Sequence, residues 1–185
     1  MSHPAPDVGW LAAARRLPSP NCDGRPSDEE IRLIVIHAIS LPPDEFGGPG
    51  IIQLFTNCLD SEAHPYFREI QDLRVSSHFL VRRDGELIQF VSCVQRAWHA
   101  GVSNWRGRPN CNDFSIGIEL EGCDQLPFED AQYQGLNRLL EELRRHYRIE
   151  AVVGHSDIAP GRKTDPGPCF DWHRVCHLGL PIPHK

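Results

Sequence analysis

Apolar positions recur along the chain with two periods, and the period decides which elements the sequence predicts. Leu33–Ile39 (LIVIHAI) is an almost continuous apolar run, the pattern of a strand covered on both faces, and His37 interrupts it. Residues 77–91 read as a hairpin, with Asp84-Gly85 supplying the positive-φ turn between two alternating segments. In Ser115–Glu121, Ile116, Ile118 and Leu120 point to one face while Gly117, Glu119 and Glu121 point to the other. One face is therefore core and the other is left to hold chemistry. Residues 130–147 carry apolar side chains at 133, 136, 139, 140, 143 and 147 with charges between them, which predicts an amphipathic helix packed on the sheet. Ala151–Gly154 reads as a short strand that delivers His155 to its end, and residues 171–178 as a last helical turn or two.

This order of elements predicts a mixed α/β fold, a central β-sheet covered by helices. At 185 residues with 40% hydrophobic content, one domain spanning 1–185 can bury a full core without disulfides or oligomerisation, so a monomer is expected. There is no internal repeat and no low-complexity linker. Proline and glycine cluster at 42–50 and 159–168, which reads as two site-forming loops. Between Ile39 and Ser76 only 51–59 has a weak helical pattern, and an excursion of that length predicts a lid or substrate loop over 40–75.

Charge narrows the partners. Charged residues make up 24% and the formal net charge is -6, which disfavours nucleic acid and anionic membrane surfaces and leaves a small neutral or mixed-charge substrate. No apolar run approaches a membrane span, and the start, MSHPAPDVGW, has neither a basic n-region nor an apolar h-region, so a cytoplasmic location is expected. The seven cysteines, at 22, 58, 93, 111, 123, 169 and 176, form no Cys-x-x-Cys pair, and an odd number cannot close a complete disulfide framework. They read as free thiols in a reducing compartment.

Three ligand-type residues fall where strands end or loops begin: His37, His155 and Asp165. Two imidazoles and a carboxylate are a recurrent catalytic zinc set, because three protein ligands leave a fourth position for water. Singly, each has a plainer reading, a core histidine or a turn aspartate before proline. Glu119, on the non-core face of its strand, is a candidate general base toward such a water, and Glu121 on the same face competes for the role. Lys163 lies two residues from Asp165, where an ammonium can stabilise a developing oxyanion.

The segments RLIVIHAISLPPDEFGGPG, HPYF, VSSHFLVRRDGELIQFV, RAWHAGVS, CNDFSIGIELEG and GHSDIAPGRKTDPGP, in this order from about Gly9 to Trp172, resemble the AmpD proteins, the cytoplasmic anhydro-muropeptide amidases of peptidoglycan recycling. LPPDEFGG and HPYF are similar to this recycling branch in particular, within a zinc amidase group related to peptidoglycan recognition proteins, and the resemblance implies that group's α/β fold, a central mixed β-sheet flanked by helices. The resemblance implies one zinc per chain on His37, His155 and Asp165, with Glu119, rather than Glu121, and Lys163 as the catalytic pair. It implies an anhydro-muropeptide as the small-molecule substrate, cut between the muramyl lactyl group and L-alanine. Arg74 resembles a position that contacts the peptide carboxylate, which suits a planar guanidinium. His99 is expected to line the site, and Trp98 and Trp105 either face a sugar ring or pack. His64 and His78 are read as structural. Two departures stand out: Ala38 follows His37 where these proteins carry asparagine, and Asn110 stands where an arginine is expected, with Arg108 a substitute for that guanidinium.

Three rivals remain. A non-catalytic peptidoglycan-binding module would lack a ligand or the Glu-Lys pair. A glycosidase would use Glu119 with Glu121 or Asp124 and no metal, leaving His37, His155 and Asp165 without a role. An amidase acting on intact wall would need export.

Overall fold

In the computed structural model, which describes residues 8–175, the chain runs β1 (Arg15–Arg16), β2 (Cys22–Gly24), β3 (Leu33–Ile39), α1 (Gly50–Phe55), α2 (Pro65–Ile70), β4 (Phe79–Val81), β5 (Leu87–Gln89), β6 (Gln95–Ala97), β7 (Asn104–Trp105), β8 (Arg108–Pro109), β9 (Ser115–Glu121), α3 (Asp130–His146), β10 (Ala151–Gly154) and α4 (His155–Ile158). The main sheet has the order β1-β5-β4-β9-β3-β10. The pairs β4–β9, β9–β3 and β3–β10 are parallel and β4–β5 is antiparallel, so the sheet is mixed, as the resemblance implies. Two small antiparallel pairs, β2–β6 and β7–β8, lie outside it.

The two faces follow from the alternation. Ile34, Ile36, Ile116, Ile118 and Leu120 pack with Tyr133, Leu136, Leu139, Leu140 and Leu143 of α3, which closes one face. Gln132 of α3 is fully buried, and its amide donates to the carbonyls of Val81 (3.2 Å) and Glu121 (3.0 Å) while its oxygen accepts the Glu129 N–H, tying the start of α3 to the ends of β4 and β9.

The opposite face is covered in two pieces. Leu80 and Ile88 pack with Leu41, Ile51, Leu54, Phe55, Phe67 and Ile70, so α1, α2 and the preceding loop cover the β4–β5 side. Leu33, Val35, Ala151 and Val153 pack with Ala100, Cys111, Phe114 and Ile158, which covers the β3–β10 side. Between the two pieces the sheet is open to a cleft.

Three expectations change in detail. In the hairpin the positive φ falls on Gly85 alone (+87°), where the Gly85 N–H donates to Arg82 and the Arg82 N–H to Glu86, giving a three-residue turn with a glycine bulge. The 40–75 stretch is built rather than irregular: it holds α1, shorter than the expected 51–59, and α2, which the sequence reading lacks and which starts on Pro65 after an N-cap in which the His64 Nδ1 accepts the Tyr66 N–H. Of the helical turn expected over 171–178, a 3-10 turn at Trp172–Arg174 is seen and the remainder lies outside the described residues.

Candidate metal centre and cleft

A parallel sheet delivers its strands to one edge, and residues in register on neighbouring strands project to the same face. His37 and Glu119 are such partners on β3 and β9. Gly154 of β10 is in register with Ile36, so His155, the next residue, falls on the row of His37. Asp165 is brought in by the loop after α4. Its carbonyl accepts the Ser156 N–H (3.0 Å), and Pro166 packs where a side chain on Gly154 would stand, its Cδ 2.8 Å from the position of an added Cβ.

The donor atoms close a triangle. His37 Nδ1 is 3.0 Å from His155 Nδ1 and 3.0 Å from Asp165 Oδ2, and His155 Nδ1 is 3.1 Å from Asp165 Oδ2. Three corners at these separations can all sit roughly 2.0 to 2.1 Å from one point, the reach of zinc to nitrogen and carboxylate oxygen. The donor set, two imidazoles and one carboxylate with the cleft on the open side, thus fits a catalytic zinc, and the residues named from sequence are the ones that meet. The His155 Nε2 lies 3.0 Å from the Ala100 carbonyl, an acceptor only, so this nitrogen carries the proton and the Nδ1 lone pair faces the triangle.

Electrostatics agree with a site that holds charge only in company. Burial lowers the His37 imidazole to about 4, against the hydrogen bond to Asp165. Burial pushes the Asp165 carboxyl up, but hydrogen bonds to His155 and His37 outweigh it and hold the group well below the usual carboxylate range. Burial, and then the neighbouring Asp165, raise Glu119 well above it, with Lys163 opposing.

The two candidate glutamates separate clearly. Glu119 is 8% exposed and lines the cleft with His37, His155, Asp165 and Lys163, and among the described residues its carboxylate accepts no hydrogen bond. Glu121 is engaged on both oxygens: Oε1 accepts the Gly47 N–H (2.7 Å) and the Arg82 guanidinium (3.3 Å), and Oε2 accepts the Arg83 N–H (3.2 Å). It anchors the glycine loop before α1.

The cleft, about 410 Å³, is walled on one side by Leu41, Pro43, Leu54, Phe55, Tyr66 and Ile70 and on the other by Trp98 and His99. A shallower polar hollow lies beyond Lys163 and Asp165, lined also by Ala38, Asp124 and Arg162. Arg74 is exposed at the rim, between Leu73 and Val75 of the wall, and donates to the Gln71 and Leu73 carbonyls.

Two expected positions, Arg108 and Asn110, lie elsewhere, and Trp105 takes the packing role offered for it. The Arg108 guanidinium pairs with Glu29 and covers the Phe114 ring at 3.9 Å, so it does not stand in for a cleft guanidinium. Asn110 has a left-handed backbone (φ +58°), a conformation asparagine tolerates better than arginine, and it lies outside the cleft lining. Trp105 packs beside Phe114. The sequence reading missed Ser115, Asn112 and Arg162, whose partners are distant in sequence, and Gly117. A glycine in the middle of a strand signals close approach, and a Cβ there would meet the His99 ring at 2.5 Å.

Comparison with known proteins places these residues in a family context. Residues 27–168 match the family described as N-acetylmuramoyl-L-alanine amidase. The 1,6-anhydro-N-acetylmuramyl-L-alanine amidase AmpD of Escherichia coli (strain K12) is 60% identical over 170 residues, covering 91% of this chain and 93% of that protein. The crystal structure of a selenomethionine derivative of AmpD superposes with a TM-score of 0.89 at 60% identity, covering 91% of this chain and 96% of that one. E. coli AmiD, an N-acetylmuramyl-L-alanine amidase solved with the substrate anhydro-N-acetylmuramic acid-L-Ala-D-gamma-Glu-L-Lys, superposes at 0.60 with 34% identity over 84% of this chain and 61% of its own.

Proposed function

The chain belongs to the N-acetylmuramoyl-L-alanine amidase family, and from that premise we propose that it is a zinc-dependent, cytoplasmic 1,6-anhydro-N-acetylmuramyl-L-alanine amidase of cell-wall recycling. The observation that carries the reading is the 3.0 to 3.1 Å triangle of His37, His155 and Asp165 beside a carboxylate, Glu119, that ligates nothing. A binding module has no use for an unpaired, buried carboxylate next to a metal triad; a hydrolase does. A glycosidase pairing Glu119 with Glu121 is disfavoured by the three donors that hold Glu121.

In this reading His37, His155 and Asp165 hold one zinc. Bound there, zinc supplies Lewis acidity toward water and the lactyl carbonyl. Glu119 accepts a proton from the attacking water and returns it to the alanine nitrogen as the carbon–nitrogen bond breaks, leaving a lactyl carboxylate and a free amine. A carboxyl raised by burial suits both halves of that transfer. Lys163 faces the oxyanion that forms as the carbonyl is attacked.

For the substrate, Tyr66 and Trp98 offer ring faces in the cleft, and Arg74 at the rim offers a planar fork to a peptide carboxylate. The 40–75 segment is the cleft wall that sorts what enters. Among the described residues no helix is long and apolar enough to cross a membrane. The test offers the purified protein, with and without chelator, an anhydro-muropeptide and an intact sacculus, with products identified by mass spectrometry. Metal-dependent release of peptide from the anhydro-muropeptide is expected. Equal activity with chelator would overturn the zinc assignment, and release from the sacculus alone would overturn the substrate.

A further inference from the structure

One tight segment backs both metal-binding histidines. The His37 Nε2 is 2.9 Å from His99 Nδ1, and the His155 Nε2 is 3.0 Å from the carbonyl of Ala100, the next residue. A single side chain fixes the backbone of this pair, because Asn112 Oδ1 accepts both the His99 N–H (3.2 Å) and the Ala100 N–H (2.8 Å). The Arg162 guanidinium adds a bond to the Ala100 carbonyl (2.7 Å) and one to Val102 (2.6 Å).

The hydrogen bonds around His99 run in one direction. The Ser115 hydroxyl donates to the Cys111 carbonyl, so its oxygen is left to accept from the His99 Nε2–H at 3.2 Å. With Nε2 protonated, His99 Nδ1 is an acceptor, and among the described residues the group it serves, at 2.9 Å, is the Nε2–H of His37. That proton leaves the lone pair of His37 on Nδ1, the atom in the donor triangle. Gly117 provides the seat for the His99 ring, since any side chain there would collide with it.

We infer that His99 is a positioning residue for the metal centre rather than a substrate contact: with Ser115 behind it and Gly117 beneath it, it fixes the tautomer and plane of His37, while Ala100 does the same for His155. The inference rests on the metal assignment made above, and it goes further by giving these four residues a role toward the ligands. A partner of this kind typically sets metal affinity by roughly 10- to 100-fold.

The test uses purified His99→Phe, His99→Asn and Ser115→Ala beside the unaltered protein. Zinc affinity is read by chelator competition and ligand geometry by the visible spectrum of the cobalt-substituted protein. His99→Phe keeps a ring but no acceptor, and should weaken zinc by about 10-fold or more, shift the cobalt bands, and lower kcat without raising KM. His99→Asn places an oxygen near the former Nδ1 and should recover much of the affinity. A folded His99→Phe protein with unaltered zinc affinity and cobalt bands but a raised KM would overturn the inference and make His99 a substrate contact. If His99→Phe does not fold, Ser115→Ala decides: it should weaken zinc several-fold, and unchanged affinity and spectrum would overturn the inference. Failure of the unaltered protein to take up zinc would instead overturn the metal assignment, and the inference with it.

Discussion

His37 and Glu119 share one rung of the parallel sheet, so a ligand candidate and a base candidate stand side by side on the same face. Two residues further along, Ile39 is in register with Glu121, which turns into a cluster of donors instead of the cleft. The expected consequence is a split in phenotype. Glu119→Gln should keep zinc and lose about 100-fold or more in kcat. Glu121→Ala should keep the chemistry but cost on the order of 3 kcal/mol of stability, because it takes the counter-charge from the largely buried Arg82, leaving it the Gly48 carbonyl, and unpairs the Gly47 and Arg83 N–H groups. Zinc content, kcat and denaturant midpoints of the two variants check this.

Lys163 is exposed on the loop before Asp165 and lines the cleft beside the triangle. Lys163→Ala should therefore retain zinc and fold normally while losing roughly 100-fold in kcat, as loss of an oxyanion donor does. A turnover number equal to that of the unaltered protein would hand the oxyanion role to another group.

Because the triangle is assembled from three separate segments, removing one donor leaves two that cannot hold zinc alone. His155→Ala should lose both metal and activity, and chelation of the unaltered protein should abolish activity that zinc then restores. Metal analysis should give about one zinc per chain.

Legibility in the sequence followed pattern length. Leu33–Ile39 and Ser115–Glu121 were readable to the residue because seven-residue continuous or alternating apolar runs leave one register that buries them, and the short Ala151–Gly154 was readable as an apolar run closed by a glycine. Arg15–Arg16 carries no such pattern and is a strand only because it pairs with Ile88 and Gln89. Pro65–Ile70 is too short for a helical period, although the His-Pro start was a signal. In the candidate site, His37, His155 and Asp165 were legible as ligand-type residues where strands end or loops begin, and Glu119 as a carboxylate on the non-core strand face that only the resemblance separated from Glu121. Asn112, Ser115 and Ala100 were not, because a hydroxyl, an amide and a carbonyl gain their meaning from what lies across the fold.

The 40–75 segment contributes buried anchors, Leu41, Ile51, Phe55 and Phe67, and cleft-facing groups, Tyr66 and Pro43. Cutting it out would expose the anchors, so selectivity is better tested by surface than by deletion. Tyr66→Ala should leave zinc unchanged, lower the thermal midpoint by a few degrees through the packing it loses on the neighbouring cluster, and reduce the ratio of kcat/KM for an anhydro-muropeptide over a matched non-anhydro muropeptide. An unaltered ratio would mean that this wall does not sort substrates.

His78 gives a pH dependence that is separate from catalysis. Its Nδ1 accepts the Gly117 N–H at 3.1 Å, so its Nε2 carries the proton and faces the Gln95 carbonyl at 3.1 Å. The charges and titratable rings around it are the Arg25 guanidinium, 3.1 Å away, and the His99 ring, 5.9 Å between centroids. Burial first, and then Arg25, lower His78 from 6.5 to about 3. The unfolded chain therefore binds a proton below pH 6.5 that the native state refuses until about pH 3. Stability from this group is complete above pH 6.5 and falls as pH drops through that window, with a slope approaching about 1.4 kcal/mol per pH unit for one proton. His37 acts in the same direction in metal-free protein, which is why the measurement compares variants in one metal state. In His78→Asn the amide oxygen can still take the Gly117 N–H, and the lost bond to Gln95 lowers stability equally at every pH. Denaturant titrations of chelator-treated protein between pH 7 and 5 should show a slope smaller in His78→Asn than in the unaltered chain, by a difference that approaches about one proton toward pH 5. Parallel slopes would mean that the histidine is protonated in the native state and that Arg25 is not close enough to forbid it.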